Sequence, residues 1–318
     1  MSATPEIAVV VPTYGRPDLL PRMIAALEAQ TLSPDRFEAI IVDDGSTDDT
    51  SLVLEKLGAD TAVALRTLRL EPNRGAAAAR NAGWQASAAP LLAFTDDDCV
   101  PEPGWLDAGL AVLEDDTRIG IVQGRTLKPR NESDHAWTDW TIYREIKAPT
   151  PWFEGCNLFF RREAMAAVGG FDETIGWFGE ETALGWGVLA EGWERAFADD
   201  AVVRHDLVER GWRWHLRHRY LERNVVGIMR RYPAMRDDLW RPWAKHPNDV
   251  LFALAVAGVV LSLWKRPALV LAGPYLRLRR PPLNHPRFFQ LYGERIAVDT
   301  AGLLGHLEGS IRHRRLFI

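Results

Sequence analysis

The sequence predicts an α/β fold, with a mostly parallel sheet flanked by helices and a mainly helical region at its C-terminal end. Three observations predict it. Over residues 7–95, short apolar runs rich in β-branched residues alternate with stretches of helical spacing, the pattern of crossover units in a parallel sheet. Polar clusters directly follow several of those runs, as ligand-binding loops do at the carboxyl ends of parallel strands. The charge is also divided: residues 204–318 hold 21 Lys and Arg against 9 Asp and Glu, a balance of +12, whereas residues 1–203 balance at −17. An acidic front suits a cation, and a basic back suits phosphate or an anionic surface.

The elements follow in order. IAVVVP at 7–12 reads as the first strand. The leading MSATPEIAVVVPTYGRP has no basic n-region and no long apolar h-region, so it reads as the start of the fold and not as a signal peptide. Residues 18–30 place Leu19, Met23, Ala26 and Leu27 at helical spacing. EAIIV at 38–42 is a second strand, and 47–57 a helix with Ser46 or Thr47 at its cap. Residues 65–70 alternate like a strand, 75–88 form an Ala-rich helix, and 91–95 form a further apolar strand. The two cysteines, Cys99 and Cys156, make no disulfide framework, fit a reducing cytoplasm and lack metal-ligand spacing.

Three polar clusters fall at strand ends: Thr13-Tyr14-Gly15-Arg16, Asp43-Asp44-Gly45-Ser46 and Asp96-Asp97-Asp98. Each alone is ordinary turn or cap chemistry. Together they line the one sheet edge where a crevice opens, and that convergence favours a site over three unrelated turns. Mg²⁺ and Mn²⁺ prefer oxygen ligands and sit between carboxylates and substrate phosphates. An Asp-x-Asp at a strand end suits that task, and so predicts Mn²⁺ or Mg²⁺ as cofactor.

Six segments then occur in order: AVVVPTYGRPDLL, IIVDDGSTDDT, NRGAAAARNAGW, LLAFTDDDCVPEPGWL, GCNLFFRREAMAAVGGFDE and FGEETALGWGVLAEGW. Together they resemble the family 2 glycosyltransferases, inverting enzymes of the GT-A fold. The likeness covers about residues 5–206. It implies a catalytic domain at 1–206, with a nucleotide-sugar half at about 1–100 and an acceptor half at about 101–206, and a basic helical region at 207–318.

The resemblance also implies roles. Pro12, Thr13, Tyr14 and Arg16 lie on the donor side. One of Asp43 and Asp44 accepts from the nucleobase, and Arg74 and Arg80 lie near the donor. Arg80 falls within the Ala-rich helix and also reads as a surface arginine. Asp96 and Asp98 match the Asp-x-Asp, with Asp98 on the metal and Asp97 assisting or solvated. His205 matches a position near the metal in some relatives. Asn157, Trp177 and Phe178 fall on the acceptor side. The last carboxylate of the segment that usually reads Gly-Glu-Asp is the general base in relatives; here Glu181 stands at that position, with Glu180 as the alternative. Ala183 replaces an acidic residue found in many relatives. A base so placed fits direct displacement with inversion. Residues 182–190 read as a helix that would stabilise an acid at its start.

The C-terminal region adds an Arg- and Trp-rich stretch at 207–247. Two apolar segments follow, 250–264 and 268–276, broken by Lys265-Arg266-Pro267. Neither reaches the roughly 20 residues of a spanning helix. They read either as a hairpin on the cytoplasmic face of a membrane or as a helical pair packed on protein.

The implied function is sugar transfer from a nucleoside-diphosphate sugar, most often UDP in this family, with dTDP and GDP also used. The acceptor is a sugar, lipid-linked or small-molecule hydroxyl in polysaccharide, glycolipid or glycoconjugate synthesis, and the site is cytoplasmic. A non-catalytic nucleotide-sugar-binding protein is one alternative. A sugar-phosphate nucleotidyltransferase is another, but it needs a Gly-rich basic loop that PTYGRPDLL does not supply. Nucleic acid as partner would leave the carboxylates without a role.

Overall fold

The computed structural model describes residues 4–131, 133, 137–239, 241, 243–245, 247–283 and 285–317. The chain forms two compact units, Met1–Trp137 with Thr141–Val208, and Thr138–Trp140 with Glu209–Ile318.

The first unit opens with β1 (Ile7–Thr13), α1 (Leu20–Glu28), β2 (Phe37–Asp43), α2 (Thr50–Asp60), β3 (Ala64–Arg69), α3 (Ala76–Ala86) and β4 (Leu91–Phe94). It continues through β5 (Cys99–Pro101), α4 (Trp105–Asp115), β6 (Ile119–Leu127), β7 (Thr141–Ile142), β8 (Leu158–Arg161), α5 (Arg162–Val168), α6 (Glu180–Ala190) and β9 (Glu194–His205). The two-residue β10 (Val208–Glu209) follows. Eight strands form one sheet in the order β3-β2-β1-β4-β8-β6-β9-β5. β1 pairs in parallel with both β2 and β4, and β2 with β3. β8 enters antiparallel between β4 and β6, and β5 pairs antiparallel with β9.

β1 and β2 are almost wholly buried, which explains why they read as continuous apolar runs and not as alternating ones. α1 covers the sheet with Leu20, Met23, Ile24 and Leu27, all buried at helical spacing. α3 lies close on β1, because a Cβ on Gly83 would stand 2.4 Å from Val10. The main core joins Ile7, Val9 and Val11 of β1 with Trp105 and Leu110 of α4 and Phe159 of β8. Burial of such side chains contributes roughly 1.5–3 kcal/mol each.

Two expectations shift. α2 begins at Thr50, not at 47, and neither Ser46 nor Thr47 caps it. Asp48 accepts from the Thr50 N–H at 3.1 Å, and Ser46 is engaged by the Gly15 N–H at 2.9 Å. α6 begins at Glu180, after Gly179 with φ 99°. A left-handed residue there costs a glycine little and draws both glutamates into the first turn.

The second unit contains α7 (Trp212–Leu221), α8 (Arg223–Arg231), a 3₁₀ segment at Pro233–Asp238, α9 (Pro247–Leu261), a second 3₁₀ segment at Arg266–Ala272, α10 (Gly273–Arg279) and α11 (Phe288–His313). α11 runs unbroken for 26 residues. It approaches its neighbours through glycines: a Cβ on Gly305 would meet the Tyr220 carbonyl at 2.4 Å. A second ionic cluster is buried here. Glu222, fully buried, accepts from Lys245 Nζ at 2.7 Å and from Arg219, and His306 Nε2 lies 3.2 Å away. Burial would raise its carboxyl, but Lys245, Arg219 and His306 hold it well below the usual range. No helix among the described residues is long and apolar enough to cross a membrane.

Candidate active site

The loops after β1, β2 and β4 leave from the same edge of the sheet, because the three strands are parallel neighbours. Hydrogen bonds tie them together. Thr13 Oγ1 donates to Asp97 at 2.7 Å, and the Gly15 N–H donates to Ser46 Oγ. Asp44 accepts from the backbone N–H groups of Arg74 and Gly75 at 2.8 and 2.7 Å. Gly45 is required where these loops meet. Its φ is 78°, and a Cβ would stand 2.9 Å from the Asn73 nitrogen. Asp43 is buried and accepts from the Ser46 N–H at 2.8 Å, from Ser51 Oγ at 2.7 Å and from Arg69. Asp43 therefore braces the loop, and Asp44 orders the start of α3.

The carboxylates are not bare. Arg16 bridges Asp97 and Asp98, at 2.8 Å to each. Arg80 is not a surface residue: it is buried, donates to Asp96 at 2.8 Å, and lies 3.3 Å from Glu180 and 3.4 Å from Glu181. Its guanidinium also sits 5.5 Å from the centre of the Phe171 ring. One arginine from the middle of α3 thus joins the β4 loop to the first turn of α6. Among the described residues, two guanidinium groups touch five carboxyl groups, so the cluster stays short of positive charge.

The shortage shows in the acids. Burial, then the neighbouring Glu181, pushes Glu180 up to about 8. Burial likewise pushes Asp97 up to about 6, against the pull of Arg16. Glu180 Oε2 is buried without a hydrogen-bond partner. The Glu180 side chain is 6% exposed and that of Glu181 20%, so Glu181 is the more open of the pair.

The third group is Asp98, Cys99 and His205, with one candidate ligand atom from each within 4.8 Å of the others. β5 and β9 create it, since their antiparallel register sets Cys99 opposite His205. His205 Nδ1 faces the Asp206 carbonyl at 2.7 Å. A carbonyl only accepts, so in the neutral ring Nδ1 carries the proton, and Nε2 keeps its lone pair 3.7 Å from Asp98. Spacing along the chain had set Cys99 aside; strand pairing places it here. Burial and Cys156 hold its thiol well above the usual range. Both cysteines are free.

Other expected residues are distributed as follows. Tyr14 is half-exposed at the sheet edge, and Pro12 is partly buried in β1 just before Thr13. Arg74 pairs with Glu173 at 2.7 Å, a partner the sequence gives no reason to single out. Trp177 is 62% exposed, and Phe178 is partly buried beside it. Asn157 departs from its expected acceptor role. It is completely buried, accepts from Trp105 Nε1 at 2.8 Å, and donates to the carbonyls of Arg125 and Ala201. Its polar atoms are spent on tying β6, β9 and α4 together. Near it in the chain, a Cβ on Gly155 would stand 2.8 Å from Glu181 and 2.9 Å from Arg80. A larger residue there would make those two side chains shift.

Comparison with known proteins adds to this geometry. A family model described as glycosyl transferase family 2 matches residues 8–170, more than half of the chain. The chain is 30% identical over 225 residues to validoxylamine A glucosyltransferase of Streptomyces hygroscopicus subsp. limoneus, covering 60% of this chain and 49% of that protein. It is 27% identical over 216 residues to glycosyltransferase AglE of Haloferax volcanii, covering 64% and 68%. The chain spans about half the length of the first curated relatives it matches. Among solved structures it resembles mannosyltransferase PcManGT from Pyrobaculum calidifontis in complex with GDP-Man and Mn²⁺, with TM-score 0.63 and 20% identity over 97% of this chain and 88% of that one. It also resembles S. aureus TarS 1-349 in complex with UDP-GlcNAc, with TM-score 0.55 and 16% identity over 98% and 92%. At these identities the likeness concerns the fold.

Proposed function

The chain belongs to glycosyl transferase family 2 and has the GT-A fold, and on that premise we propose that it transfers a sugar, with inversion, from a nucleoside-diphosphate sugar to an acceptor hydroxyl. One observation carries the reading: Arg80 gathers Asp96, Glu180 and Glu181 at one point, beside the Asp98–His205 pair.

Asp98 and His205 would hold Mn²⁺ or Mg²⁺, with Asp96 beside them. The oxygen and nitrogen donors and the lone pair on Nε2 fit such an ion. When bound, the ion supplies positive charge for the diphosphate that leaves. PcManGT, named with GDP-Man and Mn²⁺, supports divalent-metal use of this kind. Thr13, Tyr14, Asp44 and Arg74 frame the donor side, with Asp43 holding their loop.

Glu181 acts as the base. The acceptor oxygen bonds to the anomeric carbon, the bond from that carbon to the phosphate oxygen breaks with its electron pair on the diphosphate, and Glu181 takes the hydroxyl proton. Glu180 is unsuited to this step, because burial keeps it protonated near neutral pH. Arg80 holds the Glu181 carboxylate in place, and the exposed ring of Trp177 offers an apolar face to an acceptor sugar. The acceptor belongs to polysaccharide, glycolipid or small-molecule glycoside synthesis.

A thermal-shift panel of UDP-, dTDP- and GDP-sugars, with and without Mn²⁺, tests the donor and the metal together. One nucleotide sugar is expected to raise Tm only when Mn²⁺ is present, and Asp98→Ala to abolish that increment. An increment that persists in Asp98→Ala would remove Asp98 from the site.

A further inference from the structure

We propose that the face built by α9, the 3₁₀ segment Arg266–Ala272 and α10 lies on an anionic lipid bilayer, seated shallowly and not spanning it. This goes beyond the transfer reading and does not depend on it.

α9 packs inward through one side only. Phe252 and Ala255 join Ala272 and Tyr275 in a small core. Gly258 continues that side, where a Cβ would stand 2.8 Å from the Ala268 carbonyl. The rest of the hairpin turns aliphatic and aromatic groups outward. Leu263 is 79% exposed, Trp264 75% and Val270 75%, at and beside the bend between the two helical arms. Exposed apolar groups this dense mark an interaction surface.

Charge selects the partner. From Val250 to Gly293 the chain has no Asp or Glu, yet Lys265, Arg266, Arg277, Arg280 and Arg287 lie exposed within that span. Arg279 is the one drawn inward, donating to Asp299 at 2.6 Å. An apolar face rimmed only by cations complements an anionic leaflet. A second copy of the same face would set those cations against each other, so self-association through it is disfavoured. Length excludes a crossing. The 15 residues of α9 rise about 22 Å, short of the roughly 30 Å hydrocarbon core. Trp264 at the bend has the amphipathic ring that settles at the headgroup level.

Co-sedimentation with vesicles of phosphatidylcholine alone, and of phosphatidylcholine with phosphatidylglycerol, tests the proposal. The chain is expected to pellet with the anionic vesicles and to stay in solution with the neutral ones. Lys265→Gln and Arg266→Gln should each weaken binding about fivefold. The double variant Leu263→Asp, Trp264→Asp should lose binding with an unchanged circular dichroism spectrum, and Trp264→Phe should retain it. Hydrogen exchange of the unaltered chain reads the same surface without a variant, and the amides of 259–271 should slow when anionic vesicles are added. Equal pelleting with and without vesicles, no protection at 259–271, or a dimer that Leu263→Asp splits while vesicles bind nothing would each overturn the proposal.

Discussion

Two buried glutamates, one in each unit, are pushed in opposite directions. Glu180 stands among acids that outnumber the arginines touching them, and its carboxyl is raised to about 8. Glu222 stands against Arg219, Lys245 and His306, and its carboxyl is held well below the usual range. Burial alone would raise both. The local count of opposite charges decides the outcome. The first cluster retains a demand for a cation that a ligand can meet, whereas the second is satisfied within the fold and belongs to its framework.

The comparison can be broken from either end. The largest effect is expected at the edge of the first cluster. Glu181→Gln should lower the rate of transfer by about 10²- to 10⁴-fold, with donor binding unchanged by calorimetry. Transfer that survives would move the base elsewhere. Next, Glu222→Gln should destabilise the chain by about 3 to 5 kcal/mol, because it removes the carboxylate that buried Lys245 and Arg219 share and leaves Arg219 its pairing with Asp249 alone. Denaturant unfolding measures this, and a loss below 1 kcal/mol would mean that water already reaches the cluster.

The smallest effect sharpens the contrast, since the two glutamates set opposite pH dependences. Glu222, lowered in the fold, contributes stability that is present above about 4.5 and lost as the pH falls. Glu180, raised from 4.5 to about 8, keeps its proton in the fold while the unfolded chain releases it. Its contribution is therefore lost as the pH rises through that window. Glu180→Gln has no proton to lose, so its Tm should gain on that of the unaltered chain as the pH rises from 5 to 9. A constant difference across that range would contradict the raised value.

Much of this was legible along the chain. β1, β2 and β4 are apolar runs whose period and bounding polar loops name them, and parallel pairing then dictates that Thr13, Asp44 and Asp96 share an edge. Glu180 and Glu181 were legible as a pair, although not which of them is buried. Other features were hidden, for two physical reasons. Strand register between β5 and β9 depends on contacts distant in sequence, so nothing near Cys99 announces His205. The buried residues of α3 include the unbroken run Ala77–Asn81, which has no helical periodicity, so Arg80 within AAAARNAGWQA could not be told from a surface residue. Asn157 shows the same limit in reverse, since a polar residue beside a site reads as functional until its hydrogen bonds are seen to be filled.

The sequence by itself determined the alternation of strands and helices, the edge on which the acids gather, and the division into an acidic front and a basic back, because these follow from local pattern and composition. Only the tertiary structure decided which acids are paired, which glutamate is open, and which apolar residues of the C-terminal hairpin remain uncovered. Those properties depend on burial and on neighbours brought together from far along the chain, and the free energy of a charge is set by its surroundings and not by its place in the sequence.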